Sequence, residues 1–212
     1  REWVGRNEYC TVVGVDLDPA VLGWARAKME AELSPQQLSR IDLIEQDVVS
    51  VSTSSTPVDS VLAMNFSYYG FKKRVNLLQY FSSVHCSLVE DGLFLLDAYG
   101  GSDSFLEMNE DRDLDGFTYV WEQHRVNPIT GDVVNHIHFE FPDGSVIRRA
   151  FTYEWRFWTL PEIQDVLYDA GFSDVKVYWE GTDEDGEGDG CWRIDTKGEA
   201  CAGWVAYLVA VK

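Results

Sequence analysis

Four polar side chains stand where apolar segments end: Asp16 after TVVGV, Asp47 after IDLIEQ, Asn65 after SVLAM and Asp97 after LFLL. Packing alone does not ask for a carboxylate or an amide at the end of a buried strand, whereas ligand binding does. In open α/β sheets, ligands sit at the carboxyl ends of the strands. Asp16 is followed almost at once by Asp18-Pro19 and a helical stretch. An apolar strand, a terminal carboxylate and an immediate helix is the arrangement with which α/β proteins hold the ribose of an adenine-containing cofactor.

The elements that must position these groups can be read from periodicity. Residues 11–16 form a strand, and residues 19–33 a helix with Asp18 as N-cap and Pro19 in its first turn. Residues 41–45 form a short strand, and the turn-rich STSSTP precedes another at 60–64. Residues 72–88 carry helical spacing through Val75, Leu78, Phe81 and Leu88, Glu90-Asp91-Gly92 makes a turn, and 93–98 is a nearly all-apolar strand. Apolar strands separated by helices imply a parallel sheet covered on both faces. Then the pattern changes. Residues 117–125, 133–141 and 146–155 alternate and are joined by turn sequences, so they predict a three-stranded antiparallel meander. Residues 159–170 predict a helix with Thr159 as N-cap, Pro161 in its first turn and Gly171 at its end. Two closing strands follow at 175–179 and 204–211, around the acidic loop TDEDGEGDG. The expected fold class is α/β: a doubly wound, mostly parallel, Rossmann-like sheet with a terminal antiparallel strand and an antiparallel meander insertion.

Composition narrows the partners. A formal charge of -19 repels phosphate backbones, so nucleic acid is not an expected partner. Lys72-Lys73-Arg74 reads as the start of a helix rather than as a basic patch. No apolar run approaches the roughly 20 residues of a membrane span. Cys10, Cys86, Cys191 and Cys201 form no CxxC pair, which suits idle thiols in a reducing compartment. With no basic leader and apolar h-region at Arg1, a cytoplasmic location is expected. No feature specifies an oligomeric state.

The order GVDLDP, EQDV, AMNFSYYGF and LVEDGLFLLDAY, closed by a helix with AGF and two strands, resembles the core of a class I S-adenosylmethionine-dependent methyltransferase. AMNFSYYGFKKR together with FTYEWRFWTLPE is similar to small-molecule members of that family. The resemblance implies one methyltransferase-like domain over residues 1–212, with 102–158 as a β-rich insertion or lid. It implies methyl transfer from S-adenosylmethionine to a small-molecule acceptor. Asp16 would accept hydrogen bonds from the ribose hydroxyls, and Leu17 would pack beside the adenine or ribose. Asp47 would meet the exocyclic amine of adenine and Val48 would offer a backbone amide to the ring. Asn65 and Phe66 would lie near the methionine part and the transferred methyl. The family opens on a strand and a Gly-rich loop leading into a helix, whereas Arg1-Glu2-Trp3 resembles the tail of that helix. The chain is therefore expected to lack this first βα unit, which should weaken cofactor binding and leave apolar surface uncovered.

Several side chains are candidates for the acceptor side. Asn65-Phe66-Ser67-Tyr68 has the spacing of the Asn-Pro-Pro-Tyr motif of nucleic-acid methyltransferases without its prolines, and places Tyr68 or Tyr69 at an acceptor pocket. The aromatic set Tyr119, Trp121, Phe151, Tyr153, Trp155, Phe157 and Trp158 suits meander core and, in part, an amine pocket with Glu122 or Glu154. His136, His138 and Glu140 share one strand face. A metal site there is conceivable from ligand type, but polar residues alternating into solvent are expected, with no metal, and His136 is a candidate general base. Tyr68, His136 and Glu154 are thus the catalytic candidates. The acidic loop offers no EF-hand spacing, since counting from Asp183 puts Ile194 at the glutamate position and from Asp185 puts Thr196 there. Two rival functions remain: a methyltransferase-like binding or scaffold protein without turnover, and a nicotinamide dehydrogenase, which would require neither Asp47 nor an antiparallel terminal strand.

Overall fold

Local side chains set where the helices begin. In the computed structural model, which describes residues 1–50, 57–183 and 188–212, the Asp18 carboxylate accepts the Ala20 N–H at 2.8 Å and Pro19 occupies the first helical turn. Thr159 and Glu162 form a reciprocal capping box at a second helix. Both starts follow from the sequence.

The chain divides into two compact units, Arg1–Ser55 and Thr56–Lys212. The first contains α1 (Glu2–Arg6), β1 (Val12–Asp16), α2 (Pro19–Glu32), α3 (Pro35–Leu38) and β2 (Ile41–Glu45). β1 and β2 pair in parallel, with Asp16 opposite Glu45. The Arg40 guanidinium donates to the carbonyls of Val4, Asn7 and Cys10 at 2.6–2.8 Å, tying α1 and the following turn to the start of β2.

The second unit contains β3 (Val58–Ala63), α4 (Arg74–Ser87), β4 (Leu88–Gly100), β5 (Met108–Leu114), β6 (Phe117–Val126), β7 (Asp132–Glu140), β8 (Val146–Arg156), α5 (Leu160–Asp169), β9 (Asp174–Thr182), β10 (Gly188–Ile194) and β11 (Trp204–Val211). One sheet runs β10-β9-β11-β4-β3 and a separate antiparallel sheet runs β5-β6-β7-β8. β11 inserts between β9 and β4, antiparallel to both. Phe81, Phe94 and Phe172 pack as a ring cluster, with Ile163, Val166 and Leu167 presenting the buried face of α5.

The architecture is mixed α/β, and it departs from the expectation in four places. Among the described residues, parallel pairing is confined to β1–β2 and β3–β4, so antiparallel pairs outnumber parallel ones. The meander has a fourth strand, β5, whose sequence MNEDRDL is mostly exposed and shows no apolar alternation. The end of the acidic segment belongs to an additional strand, β10, antiparallel to β9, while residues 184–187 lie outside the described residues, as do 52–56 of STSSTP. Glu90-Asp91-Gly92 does not separate helix from strand but sits inside β4, where Asp91 adopts φ 60° and the register against β3 shifts. All four cysteines are free. Among the described residues, no helix is long and apolar enough to cross a membrane.

Phe94 is fully buried among the rings of Tyr80, Phe81 and Phe172. Phe94→Ala leaves a cavity that these rigid rings fill poorly, and is expected to cost about 3–5 kcal/mol of stability in urea denaturation.

Candidate functional site

In the first unit the two carboxylates stand at the same edge of the β1–β2 pair. Asp16 ends β1, and its backbone carbonyl accepts the Gln46 N–H at 3.0 Å, just before Asp47. Asp16 Oδ1 accepts the Asp18 N–H at 2.9 Å, which fixes the side chain and leaves Oδ2 without a hydrogen bond among the described residues. Asp47 Oδ1 takes the Val49 N–H at 3.0 Å in the same manner. Leu17 is 66% exposed and Val48 half-buried. Each carboxylate is thus oriented by its own backbone with an acceptor oxygen to spare, Asp16 beside the exposed Leu17 and Asp47 beside the half-buried Val48. That set of acceptors fits a ligand with hydroxyl and amine hydrogens and an apolar ring.

In the second unit the segment after β3 is held by Asp97. Its Oδ2 accepts the Asn65 N–H at 2.8 Å and its Oδ1 the Phe66 N–H at 2.9 Å. Both residues adopt left-handed backbone, with φ 58° and 55°. For Phe66, which has no local side-chain hydrogen bond to relieve it, that conformation costs about 1–2 kcal/mol. Such strain persists only where surrounding structure imposes it, and it concentrates at functional sites. Burial raises the pKa of Asp97 above the ordinary carboxylate value, while the two N–H donors oppose the rise.

Tyr68 and Tyr69 follow directly and are almost fully buried. The Tyr68 hydroxyl donates to the Asp97 carbonyl at 2.6 Å, and Tyr69 donates to the Trp158 carbonyl at 3.1 Å. Burial pushes both phenols well above their ordinary pKa. Tyr68 is therefore a post that ties this segment to β4, with its proton already committed.

The rings of Tyr69, Tyr99 and Trp155 surround Phe66 at 4.9–6.2 Å between centroids. Asn135 on β7 faces this cluster. Its side chain is buried close to the Tyr99 hydroxyl, the polar group it approaches, and among the described residues Nδ2 completes no hydrogen bond of full geometry. Burial raises the Tyr99 pKa to about 12, with Asn135 opposing. Sequence reading passed over Asn135. The available signal was a lone amide on the apolar face of Val133, Ile137 and Phe139.

The remaining candidates stand elsewhere. His136 pairs across β8 with Thr152, and Glu154 pairs with Val134, whereas Trp155 pairs with Val133 and Tyr153 with Asn135. Paired residues share a face, so His136 and Glu154 lie on the opposite side of the meander from Asn135 and Trp155. The structure does not bring them to the Phe66 segment. Glu154 is exposed, 3.8 Å from Lys72. The expectation that the histidines of β7 point into solvent is corrected: His136 is 4% and His138 8% exposed. Period-two alternation assigns a face but not what covers it, and here Glu122, His124 and Thr152 on neighbouring strands close over the two rings. Only Glu140 of that set is exposed. Burial lowers the pKa of His136, with Arg149 adding to the effect. Burial opposes ionisation of Glu122, but hydrogen bonds from His138 and His124 outweigh it and hold that carboxyl below the usual range.

Replacing Asp97 tests the anchor. Asp97→Asn has one acceptor oxygen where two are used, so it strands one backbone N–H and is expected to cost about 1–3 kcal/mol at neutral pH. Because the folded pKa of Asp97 is raised, its protonation contributes stability in full below about pH 3.9, the unperturbed value, and loses it as pH rises through the folded value. The variant lacks this component. Urea melts across the acid range should therefore show the gap between wild type and variant widest in acid and narrowing toward neutrality.

No protein-family model and no curated protein sequence matches the chain. Solved structures do. An S-adenosylmethionine-dependent methyltransferase from Clostridium acetobutylicum aligns with TM-score 0.66 and 21% identity, covering 94% of this chain and 74% of that one. The CcbJ methyltransferase from Streptomyces caelestis aligns with TM-score 0.68 and 14% identity, covering 95% and 78%. CalS10, an amino pentose methyltransferase from Micromonospora echinaspora solved with S-adenosylmethionine bound, aligns with TM-score 0.60 and 15% identity, covering 95% and 73%. With the terminal strand β11 antiparallel between β9 and β4, the chain has the fold of the S-adenosylmethionine-dependent methyltransferases.

Proposed function

We propose that this chain transfers a methyl group from S-adenosylmethionine to an amino group of a small molecule. The observation that carries the reading is the pair Asp16 and Asp47, each oriented by its own backbone at one strand edge with an oxygen left over, within a fold shared with methyltransferases. The amine class is supported by CalS10, whose substrate is an amino pentose, and by the aromatic rings around Phe66. The proposal includes the doubly wound sheet arrangement, supported by two parallel pairs that are each joined through helices.

In this reading Asp16 clamps the ribose hydroxyls, Asp47 accepts from the adenine amine, Val48 offers its N–H to the ring and Leu17 packs against it. Asn65 and Phe66, fixed by Asp97, approach the methionine end, and Asn135 Nδ2 orients the acceptor. S-adenosylmethionine supplies a methyl already activated by its positive sulfur. The acceptor lone pair would form the new N–C bond as the S–C bond breaks, its electron pair staying on sulfur in S-adenosylhomocysteine, and the ammonium product would release its proton to solvent. Alignment and exclusion of water, rather than a catalytic triad, are what this chain contributes.

Two measurements test the proposal. Incubation with S-adenosylmethionine and a panel of amino sugars should release S-adenosylhomocysteine, detected by mass spectrometry; absence of turnover with measurable cofactor binding would favour a binding protein. Asp16→Ala should weaken S-adenosylmethionine binding by about 1.5–3 kcal/mol in calorimetry, the loss of hydrogen bonds to a charged group. Unchanged affinity would remove Asp16 from the site.

A further inference from the structure

The polar face of the meander carries a cluster that methyl transfer does not use. Glu122 and His124 lie on β6 and His136 on β7, and one ligand atom from each lies within 4.8 Å of the others. Glu122 stands directly opposite His136 in the strand register, and His124, two residues on, falls at the register shift between Gln123 and Arg125. The His124 and His136 ring centroids are 5.0 Å apart. Glu122 Oε1 is 2.9 Å from His124 Nδ1.

The surrounding groups orient these three. His138 Nδ1 accepts the Arg149 N–H at 3.1 Å, which fixes the proton on Nε2, and that nitrogen donates to Glu122 Oε2 at 2.7 Å. His136 Nδ1 is 2.9 Å from Thr152 Oγ1, leaving Nε2 for another partner. Metal-bound histidines and carboxylates are held in this way, each by a hydrogen bond from its far side. Arg149 is a nearby cation, but its side chain is exposed.

We propose that Glu122, His124 and His136 bind a divalent transition-metal ion, with His138 as the positioning residue behind Glu122. Two imidazoles and a carboxylate select zinc and its neighbours over calcium or magnesium, and three protein ligands leave an open position for water. An ion bound at about 2.0–2.2 Å requires donors no more than about 4.4 Å apart. The half-exposed His124 ring has room to close the difference. The site is on the face of the meander away from Phe66, so metal binding and methyl transfer are separate properties of the chain.

Titration with zinc chloride in calorimetry tests the site without any activity assay. One zinc per chain is expected, bound at least about tenfold more weakly by His124→Ala, the loss typical of disrupting a metal site. His124 is exposed, so this variant keeps its fold, which circular dichroism checks. His138→Gln should weaken binding by a smaller factor. Cobalt in place of zinc should give visible d–d absorption without a thiolate charge-transfer band, excluding the four cysteines. No zinc binding by the wild type, equal affinity in His124→Ala, or a thiolate band would each overturn the proposal.

Discussion

The carboxylate of Asp97 is the constraint on which the segment after β3 in the second unit depends. It takes the N–H groups of Asn65 and Phe66 at once, and so holds two consecutive residues in left-handed backbone, a conformation Asn tolerates and Phe rarely adopts. Ionising a buried carboxylate is costly, and two well-aligned donors offset much of that cost. The chain turn after β3 therefore depends on a side chain from β4. Tyr68 completes the lock by donating to the carbonyl of Asp97 itself.

Packing around this anchor separates the meander into two chemically distinct faces. One face brings Trp155 against Phe66, Tyr69 and Tyr99, and the Asn135 side chain is buried near Tyr99. The other face collects three histidines around Glu122. Strand alternation makes this division unavoidable: adjacent residues Asn135 and His136 must serve opposite sides. A single strand, β7, thus contributes to two side-chain clusters that share no residue.

The helix starts at Asp18 and Thr159, the apolar strands and the antiparallel ending were legible in the sequence, because caps and periodicity act over a few residues. β5 and β10 were not, since MNEDRDL and GDGCWRI owe their strand conformation to pairing with β6 and β9 rather than to their own apolar pattern. The same distinction holds at the site. Asp16 and Asp47 announce themselves by position at strand ends, whereas Asn135 carries no local signal beyond being polar on an apolar face.

The sequence by itself determined the alternation of strands and helices, the carboxylates at the strand ends and the face on which each meander residue lies. Those are consequences of residue type at fixed spacing. Only the tertiary structure decided that Asp97 would anchor Asn65 and Phe66, 32 and 31 positions away, that His136 and His138 would be covered, and that Glu122 would meet them. Hydrogen bonds between strands distant in sequence depend on register, and register is settled by the packing of the whole sheet.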